Sequence, residues 1–242
     1  MRLNVVGCSP AWPNPGGAQS GYLVEGEGRL LLDCGPGVLA RLREGDGGWP
    51  KVDAILITHF HLDHWGDIVP WVWGRMYGLG RDLEPPELWL HPGGMELVAE
   101  IGSRLGFPEM FAETFKLRTY EEGRPFEAAG FAVTAFRVLH YRMEAYAFRV
   151  EGEGRSLAYS GDTAPCPALA EAARDADLFL CEATIGPSNP DPDELRGHLS
   201  EGEALAAFEA SGAARLLLTH RPVEQPLDPS FELVHDGYAT GV

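Results

Sequence analysis

Seven metal-competent side chains follow apolar runs in this chain, and the densest group is Thr58-His59-Phe60-His61-Leu62-Asp63-His64, directly after Val52–Ile57. A short apolar run bounded by polar residues reads as a buried strand. Three imidazoles and a carboxylate therefore stand where that strand leaves the core. In extended backbone His59 and His61 point to one side, and a tight turn aims Asp63 and His64 at a neighbouring point. Imidazole nitrogen and carboxylate oxygen suit a borderline-soft divalent cation such as zinc. The spacing favours two adjacent ions over one.

Three further runs end in the same way. Phe131–Leu139 alternates and stops at His140, Ser156–Ser160 closes on Gly161-Asp162-Thr163, and Arg215–Leu218 ends at Thr219-His220. Convergence of all four requires the strands to bring like ends to one edge. His59, His61 and His140 then make one site, Asp63, His64 and His220 a second, and Asp162 bridges them. Three protein ligands plus water is the usual catalytic zinc arrangement. A water shared by two metals about 3.5–4 Å apart is a hydroxide near neutral pH. Two divalent ions are expected, Zn2+ first and Mn2+ as its substitute.

Elsewhere Arg2–Gly7, Tyr22–Glu25 and Arg29–Asp33 read as strands, the last two joined by Gly26-Glu27-Gly28. Val38–Arg43 reads as a helix closed by Gly45 and Gly47-Gly48. Asp67–Tyr77 is a Trp-rich helix with Pro70 in its first turn. Leu88–His91 and Gly93–Arg104 follow as strand and helix. A second half opens at Phe115–Tyr120 and adds a hairpin of Ala145–Val150 and Ser156–Ser160, a helix at Pro167–Asp175 and a short strand at Leu178–Cys181. A polar, Pro-rich loop covers Thr184–Gly197, and Ser200 caps the helix Glu201–Ala210 with Glu203 in the capping-box position. This order implies an α/β chain of facing sheets with helices outside. Residues 1–242 are expected to form a single domain with pseudo-halves of roughly 1–110 and 111–242.

Lys and Arg total 19 against 36 Asp and Glu, a formal net charge of −17. Such a field opposes long polyanions, and lysine occurs only at Lys51 and Lys116. A phosphate-bearing substrate is therefore expected to be small, held by metal and a few arginines. Cysteines 8, 34, 166 and 181 show no CxxC spacing and read as buried hydrophobes. No apolar run approaches the roughly 20 residues that span a bilayer, and Met1–Cys8 reads as a strand rather than a leader. The expectation is a cytoplasmic protein without a membrane partner.

Ile57–Asp67 with its HxHxDH core, His140, Gly161-Asp162-Thr163 and Leu218–His220 resemble the metallo-β-lactamase superfamily, from Val6 to His220. Gly7-Cys8-Ser9 through Ser20-Gly21-Tyr22, and Leu30–Gly35, are similar to its ribonuclease Z and cyclic-phosphodiesterase branch. Within that branch Glu182-Ala183-Thr184 resembles a glutamate motif and His198-Leu199-Ser200 a histidine motif. The resemblance implies a four-layer αβ/βα sandwich of two mixed sheets with outer helices, and a dinuclear zinc site between the halves. It implies catalytic roles for Asp63, His198 and Glu182. His198 would protonate an alkoxide leaving group while Glu182 holds its other nitrogen. Asp33 is expected beside the ligands, accepting from one of them or fixing their loop. Ser20 and Arg142 are candidate substrate contacts.

Branch members that trim transfer RNA carry a protruding arm. Here only 21 residues separate His140 from Asp162, and a plain hairpin fills them. Trp71, Trp73, Tyr77 and Trp89 suit core or dimer contacts better than base stacking, and a homodimer is common in this branch. The Pro-rich loop around Gly16-Gly17 is positioned to lie over the cleft. The expected function is a dinuclear zinc hydrolase, a phosphodiesterase cleaving small or cyclic phosphodiesters such as a cyclic nucleotide by attack of a metal-bridging hydroxide. Transfer RNA is not its expected substrate. The alternatives are a ribonuclease Z-like RNA 3′-endonuclease, a lactone or thioester hydrolase, and a non-catalytic metal-stabilised binding or sensing protein.

Overall fold

The computed structural model describes residues 1–186 and 195–242; most of the expected Thr184–Gly197 loop lies outside the described residues. In chain order the strands are β1 (Arg2–Gly7), β2 (Gly21–Glu25), β3 (Arg29–Leu32), β4 (Ala54–Leu56), β5 (Glu87–Leu90), β6 (Lys116–Thr119), β7 (Phe126–Ala128), β8 (Phe131–His140), β9 (Met143–Gly152), β10 (Arg155–Tyr159), β11 (Leu178–Glu182), β12 (Leu216–Thr219) and β13 (Ala239–Gly241). The helices are α1 (Val38–Asp46), α2 (Leu62–Trp65), α3 (Ile68–Tyr77), α4 (Gly94–Arg104), α5 (Met110–Thr114), α6 (Pro167–Ala172) and α7 (Glu201–Ser211). One sheet runs β13-β1-β2-β3-β4-β5-β6 and the other β12-β11-β10-β9-β8-β7.

Three adjacent leucines show how the layers form. Leu30 and Leu32 of β3 enter the cluster between the sheets, with Phe148, Leu157 and Leu180. Leu31 points the other way, into the cluster that packs the first sheet against α1, α3, α4 and α5. A strand buried on both faces reads as a continuous apolar run, and each such leucine contributes about 1.5–3 kcal/mol. Leu169 of α6 and Ala204 of α7 cover the second sheet's outer face with Phe179 and Cys181. The result is the expected four-layer sandwich of two mixed sheets.

Several boundaries differ from expectation for identifiable reasons. Helix α1 continues through Gly45 and ends at Gly47, in left-handed backbone with φ 65°. Asp46, in its last turn, is anchored by Arg29 Nη1 at 2.8 Å. Strand β6 pairs with β5 and so belongs to the first sheet. It forms one edge of that sheet, and β13 returns to pair with β1 at the other. The capping box of α7 forms as expected, with Ser200 and Glu203 bonded reciprocally. Among the described residues no helix is long and apolar enough to cross a membrane.

Topology aligns the ends that matter. β8 and β10 both run antiparallel to β9, and β10, β11 and β12 run parallel to one another. Their C-terminal ends consequently share one edge. The parallel set β3-β4-β5-β6 of the first sheet delivers the end of β4 to the same cleft.

Candidate metal centre

Each ligand-bearing segment begins where one of these strands stops. His59 follows β4, His61 precedes the single turn α2, and Asp63 and His64 lie within it. His140 is the last residue of β8, and Asp162 and His220 lie just beyond β10 and β12. All are buried except His61, which is half-buried at the cleft. His220, Asp33 and Tyr141 adopt left-handed backbone at φ 55°, 59° and 49°. Such residues cluster at functional sites, where packing enforces the conformation. Gly35 admits the turn carrying Asp63, since a Cβ there would lie 1.9 Å from the Asp63 carbonyl oxygen.

The side chains form two groups. His59, His61 and His140 direct ring nitrogens to one point, with His61 Nδ1 3.1 Å from His59 Nε2 and 2.9 Å from His140 Nε2. One ring nitrogen has a single proton or a single lone pair, so His61 cannot satisfy both neighbours by hydrogen bonding. Asp63, His64, Asp162 and His220 form the second group. His64 Nε2 lies 3.3 Å from Asp63 Oδ2 and 3.2 Å from Asp162 Oδ2 without aligning for a hydrogen bond, and Asp162 Oδ1 is likewise unpartnered. Asp162 also reaches the first group, its Oδ2 lying 3.9 Å from His59 Nε2 and 4.0 Å from His140 Nε2.

Neighbours fix the rings from behind. Asp33 accepts from the Thr58 amide at 2.8 Å, the Thr58 hydroxyl, Tyr159 Oη at 2.8 Å and His64 Nδ1 at 2.7 Å. With its Nδ1 proton committed to Asp33, His64 directs Nε2 at two carboxylates, where it must carry a second proton or give its lone pair to a cation. Either way the three groups meet around one positive charge, a proton or a metal ion. His140 Nδ1 donates to the Gly197 carbonyl at 2.7 Å, and His220 Nδ1 to Thr184 Oγ1 at 2.9 Å. Thr184 in turn donates to the His220 carbonyl at 2.8 Å. Orientation through the second ring nitrogen is the usual support for a metal-ligating histidine.

Burial pushes the His140 pKa down to about 4, against the pull of Asp162. Burial also lowers His59 and His61, so these three rings stay neutral and keep their lone pairs. Burial opposes charge on His64, yet Asp162, Asp33 and Asp63 outweigh it and hold its pKa well above the usual value. Asp63 and Asp162 move down despite burial, Asp63 because of His64 and His220 and Asp162 because of His220 and His64. The second group is thus built around a positive charge. Donor chemistry, convergent lone pairs and orphaned buried atoms all fit a dinuclear centre of divalent cations.

Beside the centre, Glu182 is wholly buried. It accepts from the amides of Thr163 at 2.8 Å, Thr184 at 3.1 Å and Leu199 at 3.3 Å, and from His198 Nδ1 at 2.9 Å. Over these residues lies a cavity of about 770 Å³, lined in part by His61, Asp63, Asp162, His198 and His220. Ser20 and Arg142 are not brought into that lining. Ser20 is wholly buried, with its amide donating to the Asp63 carbonyl at 3.2 Å. Arg142 is exposed at the turn between β8 and β9.

Sequence reasoning missed the orienting roles of Thr58, Tyr159, Thr184 and the Gly197 carbonyl. Only Thr58 and Thr184 carried a signal, as hydroxyls beside expected site residues. Asp33→Asn is a direct test of orientation. An amide nitrogen facing His64 Nδ1 would move the ring proton to Nε2, the error a carboxylate prevents. Metal at the second group is expected to weaken by about 10–100-fold, as measured by chelator competition; unchanged affinity would contradict the tautomer argument.

Residues 28–221 match the family described as beta-lactamase superfamily domain. The probable metallo-hydrolase YhfI of Bacillus subtilis is 30% identical over 230 residues, which cover 92% of this chain and 87% of YhfI. The crystal structure of that metallo-beta-lactamase fold protein superposes with a TM-score of 0.83 at 26% identity, across 99% of both chains. Ribonuclease Z of Myxococcus xanthus is 29% identical over 283 residues, covering 95% of this chain and 90% of the relative. With this fold and this paired cluster of ligands, the chain belongs to the metallo-β-lactamase superfamily, on the branch related to ribonuclease Z, and is a metal-dependent hydrolase.

Proposed function

We propose that the protein is a zinc-dependent phosphodiesterase that cleaves small or cyclic phosphodiesters. The observation that carries this reading is the 2.9 Å contact between His198 Nδ1 and Glu182 Oε1 at the edge of the metal centre. Two divalent ions held by the clustered His and Asp residues would supply Lewis-acid charge and acidify bound water. The remaining work belongs to the chain. Glu182 accepts from Nδ1, so Nε2 is the nitrogen that delivers a proton to the departing oxygen. The His198 ring lies 5.0 Å from that of His140 and 5.8 Å from that of His220, stacked on the latter. An alkoxide departs from phosphorus far more readily once protonated, whereas a thiolate leaves a thioester without such help.

A small substrate is favoured over transfer RNA on three counts. Only Glu153-Gly154 separate β9 from β10. The match to Myxococcus ribonuclease Z extends over more positions than this chain contains. The net charge of −17 opposes a polyanion. Four unpaired cysteines suit a reducing cytoplasm. The exposed side chains of Tyr77 and Phe107, packed on Trp73, suit a homodimer contact. The test of function is a zinc-replete panel of 2′,3′- and 3′,5′-cyclic nucleotides, a linear dinucleotide, a precursor transfer RNA and a lactone. Turnover is expected on the small diesters. Cleavage of the RNA or the lactone alone would refute the reading.

A further inference from the structure

We infer that the mouth of the active-site cavity selects a diester bearing a flat aromatic group, with Trp12 as the platform on which that group stacks. The inference rests on the phosphodiesterase reading and specifies its substrate. Three observations carry it: the charge of the lining, its apolar content, and the way the Trp12 loop is held.

No lysine or arginine lines the cavity among the described residues, and residues 187–194 contain neither. Phosphate charge must therefore be met by the metal centre and His198. A monoanionic diester asks no more than that. A phosphomonoester or a polyphosphate brings further charge with no side-chain cation to meet it. Beyond the clustered His and Asp residues, Gln19 and Thr184, the lining is mainly apolar, with Trp12, Phe60, Leu62, Tyr141 and Ile185 its larger side chains. Such a wall favours a substituent that is apolar on its faces.

Trp12 is 47% exposed, although an indole gains greatly from burial. Its exposure does not come from a loose loop. Gln19 Nε2 donates to the carbonyls of Pro10 at 3.2 Å and Ala11 at 2.6 Å, just ahead of Trp12. Just after it, Asn14 Nδ2 donates to the Arg221 carbonyl at 3.1 Å and Asn14 Oδ1 accepts from the Val223 amide at 3.0 Å. The loop is thus clamped on both sides of Trp12 and tied to the segment that follows His220. A preorganised aromatic face at the rim binds a planar ring with little ordering cost.

The experiment compares two five-membered cyclic phosphates on the zinc-replete full chain, 2′,3′-cyclic AMP and glycerol 1,2-cyclic phosphate. They share the reacting group and differ in the ribose and the base, so the Trp12 variants serve to isolate the contribution of the base. The wild-type protein is expected to prefer the nucleotide in kcat/KM. Trp12→Ala is expected to lower that preference by about 5- to 150-fold, the range for loss of one base–aromatic stack, chiefly through KM. Trp12→Phe is expected to restore most of it, and metal content should stay the same in both variants. An unchanged preference in Trp12→Ala, or none in the wild type, would overturn the platform while leaving phosphodiester cleavage in place. Failure to cleave either ester would overturn the platform, and the parent reading falls with it if the 3′,5′-cyclic nucleotides and the linear dinucleotide are left intact as well.

Discussion

Asp162→Ala is expected to empty both metal positions together and to take turnover to background. Its Oδ2 sits 3.2 Å from His64 Nε2 and within 4.0 Å of His59 and His140, so one carboxylate faces both ligand groups. Removal would take away the one carboxylate that faces both groups and a negative charge from the middle. The loss should exceed the roughly 10–100-fold in affinity that outer-sphere substitutions cost. Metal content per chain by elemental analysis, with circular dichroism to confirm folding, decides the matter. Retention of one full equivalent would mean that Asp162 serves one ion only.

His198→Ala should behave in the opposite way, keeping both metals and losing the chemistry. A positioned general acid contributes about 10²–10⁴-fold, and kcat for an alkyl diester should fall by that factor. A diester with an activated aryl leaving group departs without a proton, so its rate should fall far less. The contrast between the two substrates separates proton delivery from any loss of packing around Glu182. Equal losses on both would remove the general-acid role.

The sequence made the site more legible than the fold around it. His59, His61, Asp63, His64, His140, Asp162 and His220 were readable because each follows an apolar run and each has a chemistry that few other roles need. The structure brings all seven together. The three-residue strands β7 and β13 and the short helices α2 and α5 were not readable. Elements so brief take their form from what they pack against, and periodicity over three to five residues carries little information. The membership of β6 in the first sheet is a non-local pairing with no local signature. The Gly197 carbonyl that holds His140 was invisible for a related reason, because every residue has a carbonyl and only the folded backbone aims one.

The ligands run from His59 to His220 and are delivered by strands of both sheets. A chain that stops short of β12 lacks His220, so the second group is complete only once the last interior strand is in place. Ions held by residues from both layers would act as a rivet across the sandwich, resisting separation of the two sheets.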